Sequence, residues 1–205
     1  MGIEKFFSSL SKSKIIPNVI FPLSKPLICK YLCIDFNSIV HVKSRELTAE
    51  LNKILYLQIE KKLTNQLDLF NRKYNVNIDD ILSIDSITLD ELVTVCVLSY
   101  VKTIVSKYIN SNQLETLLIA IDGVPSKAKL IQQRKRRYSN YIVYKMQKNL
   151  YEKHKKTLSV ERQMFEEKKY SWNTGNITPG TLYMKYLESK LESNEFQKEL
   201  KHICP

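Results

Sequence analysis

The 205 residues of this chain are enough for one domain of ordinary size with a buried core. Apolar residues make up 43% and charged residues 26%, as in soluble globular proteins, and no run resembles the long apolar stretch of a membrane span. The formal net charge of +11 favours nucleic acid or an acidic membrane face as a partner, and a Lys-rich solvated surface accounts for it equally well.

The N-terminal sequence, MGIEKFFSSLSKSK, lacks the apolar core of a secretory signal peptide. It also departs from the myristoylation pattern, because Phe6 stands where that pattern needs Ser or Thr. We therefore expect an intracellular protein without a membrane anchor, in the cytoplasm rather than the nucleus.

The first predicted strand covers residues 27–36, which are rich in Leu, Ile, Cys and Tyr, and it ends at Asp35. Cys29 and Cys33 lie within it. The four cysteines of the chain form no CxxC pair and no Cys/His cluster with zinc spacing, so we expect no structural zinc. The apolar surroundings predict that these two thiols are buried and free, as in a reducing compartment.

A charged, helix-favouring segment follows at residues 44–74. Its apolar residues recur at helical spacing: Leu47, Leu51, Ile54, Leu55 and Ile59. The polar stretch at residues 75–86, NVNIDDILSIDS, is typical of a loop or a short turn.

An amphipathic helix is predicted next, with Thr88 as its N-cap and Glu91 three residues later in the capping-box arrangement. Its apolar stripe consists of Leu92, Val93, Cys96, Val97, Tyr100, Val101, Ile104 and Val105. Core packing explains this stripe fully, so we assign it no further role.

The second predicted strand covers residues 117–121, ends at Asp122 and is followed by a turn at residues 123–125. A long basic helix is predicted from residue 127 to about residue 156, and its continuation to residue 169 is left open. The sequence ITPGT then introduces a last helix over residues 182–191.

Strands that alternate with helices, each strand ending in Asp before a turn, predict an α/β domain with a largely parallel central sheet. Ligand sites in such sheets lie beyond the carboxyl ends of the strands, where Asp35 and Asp122 are both expected. Two converging carboxylates can hold a hard cation such as Mg²⁺. The alternative is that one or both cap turns, since Asp-Gly at residues 122–123 is a common turn dipeptide.

The basic helix carries a set of phosphate-binding side chains on one helical face: Lys129, Gln133, Arg136 and Arg137. This face begins beside Asp122, so it would lie next to the candidate metal site. The alternative is an ordinary solvated face. Against that alternative, the Gln pair and the two adjacent Arg residues interrupt the Lys/Glu alternation that is typical of such a face.

Four sequence blocks in this order resemble the N-terminal region of the Xrn-type 5′→3′ exoribonucleases: MGIEKFF, YLCIDFNSIVH, LLIAIDGVPSKAKLIQQRKRRY and NITPGT. The resemblance implies a Rossmann-like domain of the PIN/flap-endonuclease type with a mostly parallel central sheet, incomplete at its C-terminal end. Residues 1–205 would be the N-terminal part of the catalytic domain, with residues 44–80 as an insertion and residues 127–169 as a long basic helical segment.

The resemblance also implies roles for individual residues. Asp35 and Asp122 match metal-binding carboxylates for Mg²⁺ or Mn²⁺, His41 matches a histidine that stacks on the terminal base, and Gly2 matches a glycine that lies close to the site. The residues that match the pocket for the 5′-monophosphate of the substrate RNA are Lys129, Gln133, Arg136 and Arg137. The implied reaction is metal-dependent hydrolysis of RNA to mononucleotides from the 5′ end.

The sequence departs from the family pattern at Glu4, in place of a proline, and at Lys127, in place of an arginine. The later acidic blocks of the family are also absent from the 205 residues. We therefore expect a fragment of a larger nuclease, a degenerate copy, or a half completed by a second polypeptide. Two functional alternatives stay open beside the exoribonuclease: a non-catalytic module that binds RNA 5′ ends, and a DNA-directed flap or 5′ nuclease.

Overall fold

The computed structural model of the protein describes residues 25–62 and 65–203. Within these residues the architecture is mixed α/β and mostly helical, in agreement with the predicted class. The MGIEKFF block with Gly2 lies outside the described residues, so the role predicted for that glycine stays a prediction. No helix in the two described ranges has the length and apolar character needed to span a bilayer.

Two parallel strands form the sheet in the described part of the chain: β1, Tyr31–Asp35, and β2, Thr116–Ala120. Asp35 is opposite Ala120, so both strands end at the same edge of the sheet. Both predicted strands are present, although β1 is shorter than the predicted range and β2 lies one residue earlier. The larger Rossmann-like sheet implied by the resemblance stays a prediction.

The burial of the strands differs from the prediction at the two cysteines. Cys33 is exposed and Cys29 is half-buried, so the expectation of buried thiols is wrong. Side chains alternate between the faces of a strand, and the face that carries Ile34 packs on the helices. Cys33 and its cross-strand neighbour Leu118 lie on the other face, which stays open in the described part of the chain.

Helix α1, Phe36–Ile59, begins directly after β1 because Asp35 is its N-cap. The Asp35 carboxylate accepts hydrogen bonds from the backbone N–H of Ser38 at 3.3 Å and from the Ser38 hydroxyl at 2.8 Å. The predicted helix start at residue 44 is therefore wrong by about two turns. The predicted apolar positions are confirmed as buried: Leu47, Leu51, Ile54, Leu55 and Ile59.

The helix-favouring segment predicted over residues 44–74 contains parts of two helices, since α1 ends at Ile59 and α2 covers Gln66–Tyr74. The segment 44–80 is also no surface appendage, because Leu51 of α1 and Phe70 of α2 are among the most deeply buried side chains. Its status as an insertion relative to the family stays a prediction. The predicted loop that follows contains a short 3₁₀ turn, Ile81–Ser83.

Helix α3, Ser86–Thr103, is capped by Asp85 rather than by Thr88. The Asp85 carboxylate accepts a hydrogen bond from the backbone N–H of Thr88 at 2.7 Å, which also lowers the pKa of Asp85. The predicted cap is therefore wrong by three residues. Most of the predicted stripe is buried, namely Leu92, Val93, Cys96, Val97, Val101 and Val105, whereas Tyr100 and Ile104 are half-buried.

Helix α4, Lys127–His154, confirms the predicted basic helix, and none of its 28 residues is buried. Helix α4 does not continue to residue 169, because Ser159 caps a separate helix, α5, Val160–Lys168. Helix α6, Leu182–Leu191, has the predicted bounds, and a further helix that we did not predict, α7, covers Asn194–Ile203.

The main core lies between α1, α3 and α6, on one face of the sheet. Met184 and Leu187 of α6 and Phe196 of α7 are buried in it. Helix α4 contributes no buried side chain to this core, so it stands on the surface as an exposed basic rod beside the carboxyl ends of the strands.

A side-chain bridge ties α1 to the segment after α5. The amide of Asn52 donates to the Tyr170 carbonyl at 2.9 Å, and the Tyr170 backbone N–H donates to the Asn52 amide oxygen at 2.7 Å. Asn52→Ala leaves two half-buried backbone groups without these partners, so we expect the free energy of unfolding to fall by about 1–3 kcal/mol in urea titrations. Asn52→Asp can accept from the Tyr170 backbone N–H but sets a carboxylate oxygen against the Tyr170 carbonyl, so it should also lower the stability. Equal stability of the alanine variant and the wild type would contradict this role.

Candidate functional site

A cleft of about 1230 Å³ opens at the carboxyl ends of the two strands. One wall is the first half of α1, a second is the N-terminal half of α4, and a third is the segment 173–178. Asp122, which follows β2, also lines it. The cleft therefore lies where ligand sites of α/β sheets are expected.

The structure brings the four predicted phosphate-binding residues together on this cleft: Lys129, Gln133, Arg136 and Arg137. His41 and Asp122 line the same cleft. Asp35 does not line the cleft, although it directly precedes α1 and lies at the sheet edge where the cleft opens. The roles assigned to these residues stay predictions.

Five cationic side chains line the cleft: Arg45, Lys129, Lys135, Arg136 and Arg137. All five are exposed, and none of them has a carboxylate within salt-bridge distance among the described residues. Asp122 is the acidic residue in the lining. Like charges that converge without counter-charges repel each other, and an anion in the cleft relieves that repulsion. The arrangement is suited to a phosphate group.

Arg45 and Arg137 are held in place by neutral partners rather than by carboxylates. The Arg45 side chain donates to the His41 carbonyl at 3.1 Å, one turn earlier on α1. The Arg137 guanidinium donates to the Thr178 hydroxyl at 2.6 Å. These hydrogen bonds orient the guanidinium groups but leave their charge unneutralised, so it remains available to a ligand.

The third wall contains the start of the ITPGT block, residues 177–181, which the core holds in place. The indole N–H of Trp172 and the side-chain amide of Asn176 both donate to the Asp90 carboxylate of α3, at 2.7 and 3.3 Å. Gly180 has φ of 86°, which glycine adopts without strain, and Thr181 caps α6. The wall that receives Arg137 is therefore anchored to α3 at one end and to α6 at the other.

Asp35 and Asp122 differ in what they already bind. The Asp35 carboxylate is the N-cap of α1. The side chain of Asp122 is exposed, and its backbone N–H donates to the buried side chain of Asn37 at 3.3 Å. Asn37 thus fixes the chain direction at the start of the turn after β2.

His41 is half-buried on α1 and faces the cleft. Burial is the main cause that lowers the pKa of His41, and the positive charges of Arg136 and Arg45 lower it further, against the opposing effect of Asp122 and Asp35. The imidazole is therefore neutral at neutral pH. A neutral ring between a basic wall and a carboxylate is suited to stacking on a base.

The resemblance implies a divalent ion held by carboxylates. No group of three or more His, Cys, Asp or Glu side chains with metal-binding geometry exists among the described residues. Mg²⁺ is commonly held by one or two carboxylates and completed by water and substrate phosphate oxygens. Asp35 and Asp122 are enough in number for one such ion and too few for a two-ion centre, and their role as metal ligands stays a prediction.

Asn37 and Arg45 line the cleft and were not predicted. They share one face of α1 with the predicted His41, at four-residue spacing. This face is invisible if the helix is taken to start at residue 44, whereas reading Asp35 as a helix cap would have revealed it. Tyr141 and Tyr144, which continue the face of α4 that carries Gln133, also line the cleft.

Comparison with protein families matches residues 83–201 to the model described as the XRN 5′-3′ exonuclease N-terminus. This stretch contains Asp122, the basic face of α4 and the ITPGT block, whereas Asp35 and His41 precede it. An uncharacterized protein of Acanthamoeba polyphaga mimivirus is 30% identical over an alignment of 165 residues, and the match covers 66% of this chain and 100% of the relative. No solved structure matches the chain.

Proposed function

This chain belongs to the family of the XRN 5′-3′ exonuclease N-terminus, and on that premise we propose that its cleft binds the 5′-monophosphorylated end of an RNA strand for 5′→3′ hydrolysis. The observation that carries the proposal is the convergence of five exposed cationic side chains, without carboxylate partners in the described chain, beside the exposed Asp122. Membership of a nuclease family directs this anion site to a nucleic acid.

Recognition of the 5′ end follows from the charge of the phosphate. A terminal monophosphate carries up to two negative charges and three free oxygens at neutral pH, whereas each phosphodiester inside the strand carries one charge. The forks of Arg136 and Arg137 are suited to such an oxygen-rich group, and Lys129 adds a point charge. The terminal phosphate is therefore the group that neutralises this cleft best, and it would orient the strand with its 5′ end inward.

Hydrolysis is the second part of the proposal. Asp35 and Asp122 would hold a divalent ion, Mg²⁺ or Mn²⁺, at the sheet edge. When bound, the ion would supply Lewis-acid stabilisation of the charge that develops on the scissile phosphate. The cationic side chains would keep the 5′ phosphate fixed, and neutral His41 would stack on the first base so that the following bond lies near Asp122.

A second candidate function is phosphate-dependent binding of RNA ends without cleavage. Two observations favour it. The basic face of the cleft is extensive, whereas the candidate metal site within the described chain has two carboxylates, and that of Asp35 already caps α1. In this case the protein would protect or tether 5′-phosphorylated ends.

One experiment separates these possibilities. The full chain is incubated with Mg²⁺ and one of three single strands of the same sequence: 5′-phosphorylated RNA, 5′-hydroxyl RNA and 5′-phosphorylated DNA. Digestion of the phosphorylated RNA to mononucleotides supports the exoribonuclease, and phosphate-dependent binding without digestion supports the end-binding module. Preferential digestion of the DNA would favour a DNA nuclease. Equal treatment of phosphorylated and hydroxyl RNA, in both binding and digestion, would contradict both proposed functions.

A further inference from the structure

The basic face of α4 continues into two exposed aromatic side chains. Tyr141 and Tyr144 are 57% and 61% exposed, and both line the same cleft as Arg136 and Arg137. Core packing does not explain them, since α4 has no buried residue. Tyr138, on the same helix, is 67% exposed but does not line the cleft. Two of these three exposed tyrosines therefore line the cleft.

The positions of the two rings follow from helix geometry. Arg137, Tyr141 and Tyr144 are separated by four and three residues, so they share one side of α4. At a rise of about 1.5 Å per residue, Tyr141 lies about 6 Å beyond Arg137 along the axis, and Tyr144 about 4.5 Å further. The rings thus form a row that leads away from the phosphate-binding side chains.

The surroundings of the row are those of a nucleic-acid track. Lys145 and Lys148 follow the tyrosines on α4, so positive charge continues along the helix. Exposed aromatic rings interleaved with basic side chains are the usual means of holding single-stranded nucleic acid, because every base offers a face for stacking. The cleft has a volume of about 1230 Å³, whereas a pocket for one small molecule has about 300–1,000 Å³. The cleft is therefore larger than a single phosphate requires.

We propose that Tyr141 and Tyr144 form a stacking platform for the nucleotides that follow the 5′ phosphate, so that the cleft binds several nucleotides of single-stranded RNA. This inference rests on the proposed function for the direction of the strand. It assigns to α4 two consecutive tasks: its first turns hold the terminal phosphate, and its middle turns hold bases without reading their identity.

The test is equilibrium binding of the full chain to a single-stranded RNA of eight nucleotides, in EDTA and at constant salt, with the RNA in 5′-phosphorylated and 5′-hydroxyl forms. The double substitution Tyr141→Ala, Tyr144→Ala is expected to weaken binding of both forms by at least about fivefold, since loss of one stacked ring costs about 1–3 kcal/mol. The matched control Tyr138→Ala is expected to bind as the wild type does. The double substitution Tyr141→Phe, Tyr144→Phe keeps both rings and is expected to bind within about twofold of the wild type.

The outcomes also separate this inference from the proposed function. The double alanine substitution is expected to lower the affinities for phosphorylated and for hydroxyl RNA by the same factor. The ratio of the two affinities is therefore expected to stay unaltered. Wild-type affinity of the double alanine variant would overturn the inference, as would an equal loss in the Tyr138→Ala control or in the double phenylalanine variant. A wild-type ratio of one would overturn the proposed function, whatever the tyrosines do. Alanine favours helix, and both side chains are exposed, so the variants are expected to keep the wild-type melting temperature.

Discussion

Arg136→Ala is expected to lower the preference of the protein for 5′-phosphorylated over 5′-hydroxyl RNA by about 10- to 100-fold. Arg136 lines the cleft, is exposed and has no carboxylate partner in the described chain, so its charge is free for a phosphate. A hydrogen bond to a charged group is worth about 1.5–3 kcal/mol, which corresponds to this range of affinity. The measurement is the ratio of the two dissociation constants, in EDTA and at constant salt.

Arg134 provides a matched control for this experiment. It is an exposed arginine on the same helix, two residues away, and it does not line the cleft. Arg134→Ala is expected to weaken the binding of both RNAs equally, because one positive charge outside the cleft is lost. The ratio of the two dissociation constants is expected to stay unchanged. If both variants reduced the ratio to the same extent, the preference would depend on total charge, and the assignment of Arg136 to the phosphate would be wrong.

The second large effect is expected at the carboxylates. Under the exoribonuclease proposal, Asp122→Asn should reduce the rate of RNA digestion in Mg²⁺ by at least about 100-fold, because it removes one of two candidate charged ligands while keeping the shape of the side chain. Asp122 is exposed, so the fold should tolerate the change. RNA affinity in EDTA should stay equal or increase slightly, since a negative charge leaves a phosphate-binding cleft. Unchanged digestion would remove Asp122 from the site.

Asp35→Asn distinguishes the two roles open to that residue. Asparagine caps helices about as well as aspartate, so the N-cap of α1 and the melting temperature should be preserved. If Asp35 also binds the ion, digestion should fall as it does for Asp122→Asn. Normal digestion with normal stability would show that Asp35 acts only as a helix cap. Asp122 would then be the remaining candidate carboxylate ligand among the residues that line the cleft.

The sequence predicted the elements that carry a long, uniform pattern. The face of α4 that carries Lys129 and Arg136 follows from spacing along one helix, and α6 was predicted as the helix that the ITPGT block introduces. Errors arose where one residue has two structural roles. Asp35 ends β1 and also caps α1, and the prediction recognised the first role only, so it placed the helix start too late.

Long-range contacts account for most of what the sequence did not show. The hydrogen bond from Arg137 to Thr178 joins residues 41 positions apart, and the one from Trp172 to Asp90 spans 82. No local period encodes either contact. The exposure of Cys33 was missed for a related reason: an apolar strand does not indicate which of its faces another layer covers.

The distribution of charge resolves an ambiguity that the total charge could not. Helix α4 alone holds nine Lys and Arg residues against one Glu, so the surplus of the chain is concentrated on one exposed rod. An evenly solvated surface would spread that surplus over the molecule. Because the first half of the rod forms a wall of the cleft, the positive field is directed at the site where a strand would enter.

The most direct test of the central claim is the affinity of the unmodified chain for one short RNA with and without a 5′ phosphate, measured in EDTA at constant salt. The cations of the cleft have no carboxylate partner in the described chain, and they predict that the phosphorylated strand binds at least about 100-fold more tightly, as expected for several charged hydrogen bonds. Equal affinity for the two strands would contradict the assignment of this cleft to the RNA 5′ end.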